Sequence, residues 1–317
     1  MSLADTYSEA FDGFFIYDCA LRSSGYCFIL VETTKNNNDR EPNKRIVGYF
    51  PDYEGQPVIS WHEYRGFENP HLVIASSPKE QAVMVGLSGA VAVLGSGESA
   101  MQDYIPGGDE QQPIFGTASA CTSINGYLYV AGGWRHVAKR VDANQWLAIH
   151  DRRSMPHPTS KNGSSDGGFN GISAFSEEDI YCVGGKGDVW RFDGKKWHQC
   201  PMPTNMRLWS VCCAGDGFVY IGAQSGSIIK GRGNNWKVIH QGDLTLPFKD
   251  MVWFDNKLWS TSDYGLWTVE NDQLIESDLP SDVIACSGNL AVGYGKLLLA
   301  GLHGATVYDG KKWERLV

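Results

Sequence analysis

Short apolar runs alternate with glycine-containing turns along most of this chain. In one clear copy, the apolar run Ile180–Val183 leads through a glycine turn to a second run, Asp188–Phe192, and an Asp-Gly turn then precedes Trp197. Apolar runs of this length between such turns predict β-strands joined as hairpins. The pentapeptide DGKKW at 193–197 recurs at 309–313 in the same context. The pattern therefore predicts a repeated unit of strands and tight turns.

The period of this repeat indicates the fold. The glycine that closes the first turn recurs at intervals of 39 residues, at Gly187, Gly226, Gly265 and Gly304. A further strand starts about seventeen residues before each of these glycines, which gives four strands in about 40 residues, the size of one β-propeller blade. Looser copies upstream place the blade starts near residues 14, 73, 119, 171, 210, 249 and 288.

The sequence thus predicts an all-β protein with a single domain, residues 14–317, folded as a seven-bladed β-propeller of four-stranded antiparallel blades. Six or eight blades would require a different interpretation of the loose first third of the chain. Residues 1–13 form a polar leader that is either irregular or adds an extra strand to an outer edge. Two polar insertions, Lys35–Lys44 and His150–Asn170, interrupt the regular pattern. Long loops of this kind in compact domains are often functional or disordered.

Two of the predicted blades resemble kelch repeats. The residues that carry the resemblance are Gly184-Gly185, Phe192-Asp193 and Trp197 in the better copy, and Gly132-Gly133, Asp142 and Trp146 in the poorer one. The chain is also similar to short bacterial propellers whose blades follow V-G-x-x-G-x-(I/V)-x-(R/Y)-(F/Y)-D-G-x-x-W. The resemblance covers roughly residues 70–317, and it implies a fold and no particular activity. Other blades lack the double glycine, and the 39-residue period is shorter than that of a usual kelch blade.

Composition narrows the classes of function. A net charge of −9 and an isoelectric point near 5.4 argue against binding to nucleic acid or to an anionic membrane, and they suit a basic protein partner. No apolar run reaches the length of a membrane-spanning helix, and the first residues lack the features of a signal peptide. The eight cysteines show no metal-binding spacing. We therefore expect a cytoplasmic protein, monomeric on its own, with buried thiols, no metal and no cofactor.

In a propeller, the connections into the innermost strands and the turns between second and third strands surround one mouth of the central channel. At these positions the sequence places aromatic residues, cations and a few acids, and Trp and Arg are the residues that most often dominate protein interfaces. The exposed turn containing Trp134 and Arg135 is the strongest candidate, and its replacement by alanines is expected to leave folding intact. The candidate partner-binding residues are Trp134, Arg135, His136, Phe169, Arg207, Lys249, Asp263, Tyr264 and His303.

The same positions do not assemble a recognisable catalytic set. They provide no facing carboxylate pair for glycoside hydrolysis and no recurring histidines for an axial metal, so no catalytic residue is assigned. The G-x-S-x-G match at Gly163–Gly167 lies in a polar loop without the strand and helix of a nucleophile elbow. The leading hypothesis is a non-enzymatic protein-binding propeller, in a specific form a bacterial immunity protein that neutralises a cognate toxin. A propeller enzyme or glycan-binding protein that uses the channel mouth, and an assembly factor, stay open as alternatives.

Overall fold

The computed structural model describes residues 3–23, 25–33, 42–158 and 167–317. Its 28 strands form seven four-stranded antiparallel sheets, each built from four strands that are consecutive in the chain. Neighbouring sheets pack through their innermost strands around a central channel. The predicted seven-bladed propeller is therefore confirmed, and its inner strands begin within three residues of the predicted starts.

The first four blades contain strands β1 to β16. Blade 1 comprises β1 (Phe14–Arg22), β2 (Gly25–Glu32), β3 (Lys44–Tyr53) and β4 (Gln56–Tyr64). Blade 2 comprises β5 (His71–Ala75), β6 (Gln81–Val85), β7 (Val91–Gly95) and β8 (Glu98–Gln102). Blade 3 comprises β9 (Ala118–Ile124), β10 (Tyr127–Gly132), β11 (Val137–Asp142) and β12 (Gln145–Ala148). Blade 4 comprises β13 (Phe169–Ser176), β14 (Asp179–Gly184), β15 (Asp188–Phe192) and β16 (Trp197–Gln199).

The last three blades are shorter and more regular. Blade 5 comprises β17 (Leu208–Cys213), β18 (Val219–Ala223), β19 (Ile228–Arg232) and β20 (Asn235–His240), with a 3₁₀ turn at Gln224–Gly226. Blade 6 comprises β21 (Asp250–Phe254), β22 (Lys257–Ser262), β23 (Gly265–Glu270) and β24 (Gln273–Glu276). Blade 7 comprises β25 (Gly288–Gly293), β26 (Lys296–Gly301), β27 (Gly304–Tyr308) and β28 (Trp313–Arg315). Two helices, α1 (Leu3–Phe11) and α2 (Ser281–Ile284), precede blades 1 and 7.

The apolar runs of the sequence are the second strands of the blades. Strands β6, β14 and β18 are buried along their whole length, because each blade is covered by a neighbour on both faces. The core consists of seven apolar clusters, one at each junction between adjacent blades. Stability is therefore distributed around the ring, and no blade has a core of its own.

The repeated DGKKW word encodes the turn between the third and fourth strands. In both copies the aspartate Oδ1 accepts hydrogen bonds from the next two lysine amides, at 2.9 Å in each case. The glycine that follows the aspartate has a positive φ, 86° at Gly194 and 89° at Gly310, which a side chain would disfavour. The tryptophan then opens the outer strand. The motif is thus explained by turn geometry and carries no functional information.

The ring closes by packing between blade 7 and blade 1. The leader forms α1 and contributes no extra strand, and the helix packs on β4 with Ala10 completely buried. Arg45 Nη1 donates hydrogen bonds to the carbonyls of Glu9 and Ala10 at 2.7 and 3.0 Å. These two carbonyls lie in the last turn of the helix, where no backbone N–H of the helix can reach them. Leu316 and Val317 join the same apolar cluster as Ala10, so residues of α1 and of the last strand's continuation meet at one junction.

Polar bridges tie neighbouring inner strands together around the channel. In each bridge, a side chain near the start of one inner strand forms a hydrogen bond with backbone of the next blade. The bonds are Leu72 N to Asp18 Oδ2 at 2.7 Å, Asn170 Nδ2 to Leu208 O at 2.8 Å, Ser210 Oγ to Phe248 O at 2.9 Å, Leu290 N to Asp250 Oδ2 at 3.0 Å and Asn289 Nδ2 to Tyr17 O at 2.9 Å. These hydrogen bonds pair polar groups of the innermost strands that would otherwise need water as a partner.

The cysteines behave as the sequence predicts for an apolar interior. All eight are free thiols, and burial raises the pKa of several of them, for example Cys200 to about 11. The described ranges contain no group of three or more His, Cys, Asp or Glu side chains placed to hold a metal ion. Over the same ranges, neither helix is long and apolar enough to cross a membrane.

Candidate functional site

One mouth of the channel forms a cavity of about 360 Å³, which we call the channel mouth. It is lined by connections into inner strands and by the turn that follows β22. Its lining residues are Ser119, Asn170, Trp209, Leu246, Pro247, Lys249, Ser262 and Asp263. A second cavity of about 550 Å³ extends below it along the channel, and Asn170, Trp209 and Lys249 line both. The mouth therefore opens directly into the channel.

Five of the predicted residues lie exposed on this face. Lys249 and Asp263 line the channel mouth itself, with Lys249 Nζ 3.5 Å from Asp263 Oδ1. Arg207 places its guanidinium 5.5 Å from the ring centroid of Trp209. Tyr264 is 80% exposed, and His303 lies in the equivalent turn of blade 7. All five are available for contact with a partner.

Two predicted residues are buried. His136 is 0% exposed and Phe169 is 1% exposed, so neither side chain reaches the surface where a partner would bind. His136 Nδ1 lies 2.7 Å from Gly133 O, and burial lowers the pKa of His136 to about 4. Both residues stand where the repeat predicts, but their side chains point into the junctions between blades. Their placement on a partner-binding surface is corrected: they support the face from beneath.

The turn containing Trp134 and Arg135 is held firmly in the fold. Both residues adopt positive φ, 59° and 58°, which is uncommon for bulky side chains and requires support from the surroundings. Trp134 is half-buried against Phe115, with ring centroids 5.5 Å apart. Arg135 forms two hydrogen bonds of 2.8 Å to the Asp188 carboxylate, and the two side chains are only 13% and 6% exposed. The turn is therefore not freely exposed as the sequence predicted, and we now expect its replacement by alanines to lower stability.

Exposed apolar side chains on blades 5 to 7 were not predicted from the sequence. Trp209 and Leu246 are each 37% exposed and Leu302 is 60% exposed. Together with Tyr264 they form what we call the apolar rim, on the same face of three consecutive blades. Exposed apolar patches with polar residues around them often mark sites where another molecule binds. The sequence held one signal, because Leu302 occupies a turn between Gly301 and Gly304 where a polar residue is the norm.

The channel below the mouth carries more negative than positive charge. Its acidic and basic lining residues are Asp18, His71, Lys249 and Asp250. Burial raises the pKa of Asp18 to about 6 and that of Asp250 to about 7, although backbone N–H groups and Lys249 favour the charged forms. Burial also lowers the pKa of His71 to about 4, so this histidine is neutral at pH 7. Two carboxylates thus face one lysine.

We expect Asp250→Asn to flatten the pH dependence of stability between about pH 4 and pH 7, the interval between the unfolded and folded pKa of this carboxyl. The pKa of Asp250 is raised from 3.8 to about 7 in the fold, so its stabilising contribution is complete below the unfolded pKa and is lost as the pH rises through 7. Asp18 acts in the same direction up to about pH 6. The lowered pKa values of His71 and His136 act in the opposite direction, but below their unfolded value of 6.5.

The measurement is urea unfolding across this pH range, with Asp255→Asn as the control. Asp255 is an exposed turn residue at the opposite end of the blades, and its φ of 51° suits asparagine equally well. An unchanged slope of stability against pH in Asp250→Asn would show that this carboxyl is not the titrating group.

Solved structures resemble this chain in fold. A catalytically inactive virginiamycin B lyase from Staphylococcus aureus, determined with quinupristin, superposes with a TM-score of 0.66 at 9% identity over 97% of both chains. The WD40 β-propeller domain of Doa1 gives 0.62 at 11% identity over 94% of both chains. YCF48 from Cyanidioschyzon merolae gives 0.61 at 9% identity over 93% of this chain and 95% of that one. Such low identities establish the architecture alone, and these neighbours do not support a kelch-type repeat in particular.

The architecture defines the chain as a seven-bladed β-propeller whose channel mouth is partly apolar and partly charged. Searched against protein-family models, the sequence matches none. It is, however, 32% identical over 243 residues to the Immune protein Tsi7 of Pseudomonas aeruginosa, covering 77% of this chain and 78% of that protein. The chain belongs to the Tsi7 family of immune proteins.

Proposed function

We propose that this chain is an immunity protein that binds a protein toxin and neutralises it. The observation that carries the proposal is the 32% identity to the Immune protein Tsi7 along more than three quarters of both chains. The channel mouth supports it, because exposed aromatic and aliphatic groups surrounded by charged side chains are the composition of a protein-binding surface. On this view the protein acts in the cytoplasm as a monomer until it meets its toxin.

The toxin docks on the face that carries the channel mouth. The apolar rim supplies the centre of the contact, and the charged side chains of Arg207, Lys249, Asp263 and His303 lie around it. A basic toxin suits the net charge of −9, since opposite charges accelerate encounter and disfavour wrong partners. Blocking of the toxin then follows from steric cover and requires no chemistry from this chain.

The test is protection of a bacterial host from a toxin whose gene lies beside the gene for this chain. Co-expression of the chain is expected to restore growth and to yield a stable complex of the two proteins. If the toxin kills equally well in its presence and no complex forms in vitro, the proposed function fails.

The double variant Tyr264→Ala with Leu302→Ser is expected to weaken toxin binding at least tenfold, as loss of interface anchors does. Its stability should stay close to that of the wild type, because the two side chains are 80% and 60% exposed. Affinity is measured by calorimetry. The matched control is Tyr294→Ala, which removes a 62% exposed aromatic from a turn at the opposite end of the blades. Equal losses in both variants, or in neither, would place the docking surface elsewhere.

A further inference from the structure

The channel mouth and the cavity below it form two levels that differ in chemistry. The channel mouth is the upper level, where Trp209, Leu246 and Pro247 supply apolar surface among polar and charged side chains. The cavity below it is the lower level, and its wall carries the carboxylates of Asp18 and Asp250. Asn170, Trp209 and Lys249 belong to both levels and mark the passage between them. A side chain that enters here meets apolar surface first and negative charge afterwards.

The two carboxylates of the lower level lack a full complement of positive charge. Asp18 accepts hydrogen bonds from Leu72 N and Cys19 N, and Asp250 accepts from Leu290 N and Met251 N. These donors are neutral amides of the inner strands. One lysine, Lys249, lines the same cavity and favours the charged forms of both carboxylates, but its Nζ forms its ion pair with Asp263 at the rim. A cation from outside would find uncompensated carboxylates.

Lys249 shows that this location accommodates a cation. Its ammonium group lies 5.6 Å from the centroid of the Tyr17 ring and 3.5 Å from Asp263 Oδ1, and its side chain is 43% exposed. An aromatic face and a carboxylate are the two groups that attract ammonium and guanidinium ions. Because Lys249 is exposed and paired at the rim alone, it can move aside when a second cation arrives.

We propose that the channel mouth receives an arginine or lysine side chain of the docked toxin. The inference rests on the proposed docking face and adds the chemistry of its central contact. The aliphatic stem of the incoming side chain packs on Trp209 and on Leu246–Pro247, and its charged head enters the channel toward Asp250 and Asp18. Long basic side chains divide themselves in this way between apolar surface and charge. The ammonium group of Lys249 competes with the incoming side chain for the same two carboxylates.

The experiment uses N-acetyl-arginine amide as the probe and N-acetyl-citrulline amide as its neutral counterpart of the same shape. Binding is followed by NMR on ¹⁵N-labelled protein, through the indole N–H signal of Trp209. This signal is identified as the one that disappears in the variant Trp209→Phe. The arginine compound is expected to shift this signal saturably, and the citrulline compound should bind at least tenfold more weakly. Equal shifts with both compounds, or none with arginine, would overturn the proposal.

Three variants of the full chain test whether affinity for the arginine compound changes in the predicted direction. Asp250→Asn is expected to weaken arginine binding severalfold, and Lys249→Met to strengthen it severalfold by removing the competing cation. Asp255→Asn makes the same charge change at the opposite end of the blades and should leave binding unchanged. Weaker binding in Lys249→Met would contradict the proposal, since it would make that lysine a partner of the probe.

The outcomes separate this inference from the proposed function. If the arginine probe fails while the chain still protects cells from the toxin, the basic anchor is wrong and the immunity function stands. If protection fails, the docking partner itself is in question, whatever the probe does.

Discussion

Asp188→Ala should lower the free energy of unfolding by about 3–5 kcal/mol, because it leaves a buried guanidinium without its counter-ion. The Asp188 carboxylate accepts two hydrogen bonds from Arg135 and one of 2.9 Å from Trp190 Nε1, and its side chain is 6% exposed. Arg135 also donates to Pro156 O at 2.8 Å, so the pair joins blade 3, blade 4 and the connection between them.

Urea unfolding followed by tryptophan fluorescence measures this effect. Arg135→Ala should cost a similar amount, and the double variant less than the sum of the two, because the second substitution removes the charge that the first left unpaired. Asp255→Asn, at an exposed turn whose φ of 51° suits asparagine, is the control and should change stability by less than about 0.5 kcal/mol. A loss below about 1 kcal/mol in Asp188→Ala would show that the pair is well hydrated.

Trp197→Ala should cost about 3–5 kcal/mol, as large-to-small substitutions of buried aromatics do. The Trp197 side chain is 2% exposed, its Nε1 donates to Ile149 O at 3.0 Å, and its ring centroid lies 5.2 Å from that of Phe192. Its removal leaves a cavity at the junction between blades 3 and 4 and takes away the hydrogen-bond donor of the partly buried Ile149 carbonyl.

The second DGKKW word supplies a matched control at Trp313. This residue stands at the same place of the repeat and stacks on Tyr308 at 5.0 Å, but it is only half-buried. Trp313→Ala should therefore cost clearly less than Trp197→Ala in the same unfolding assay. Equal losses would mean that position in the repeat, and not burial, decides the contribution.

The repeat made the fold predictable. The same turn is needed in each blade, so its glycine recurs at a fixed interval, at Gly187, Gly226, Gly265 and Gly304. The interval between these turns therefore indicates the size and the number of the blades. The leader was harder, since a short polar segment becomes the helix α1 only through its packing on blade 1. The insertion at Lys35–Lys44 lies largely outside the described residues, as does the centre of His150–Asn170.

The candidate site was predictable only in outline. Lys249, Asp263 and Tyr264 follow from the topology, because the connections into inner strands and the turns between second and third strands lie at the same end of the blades. The pairing of Arg135 with Asp188 joins two blades and leaves no trace in local spacing. Asp18 did leave a signal in the sequence, as a single carboxylate inside the otherwise apolar start of β1, but it lies away from the turns and strand starts where channel-mouth residues are expected.

The way the ring closes has a consequence for how such proteins can change. Each sheet is made of consecutive strands, and the residues near both termini meet in one cluster between blades 7 and 1. No blade is therefore obliged to come first in the gene. A circularly permuted chain that joins the present ends and opens at another junction would keep every pairing within the sheets. The order of neighbouring blades around the ring has to be kept, because each apolar cluster is shared by two adjacent blades, whereas the junction at which the chain begins can vary.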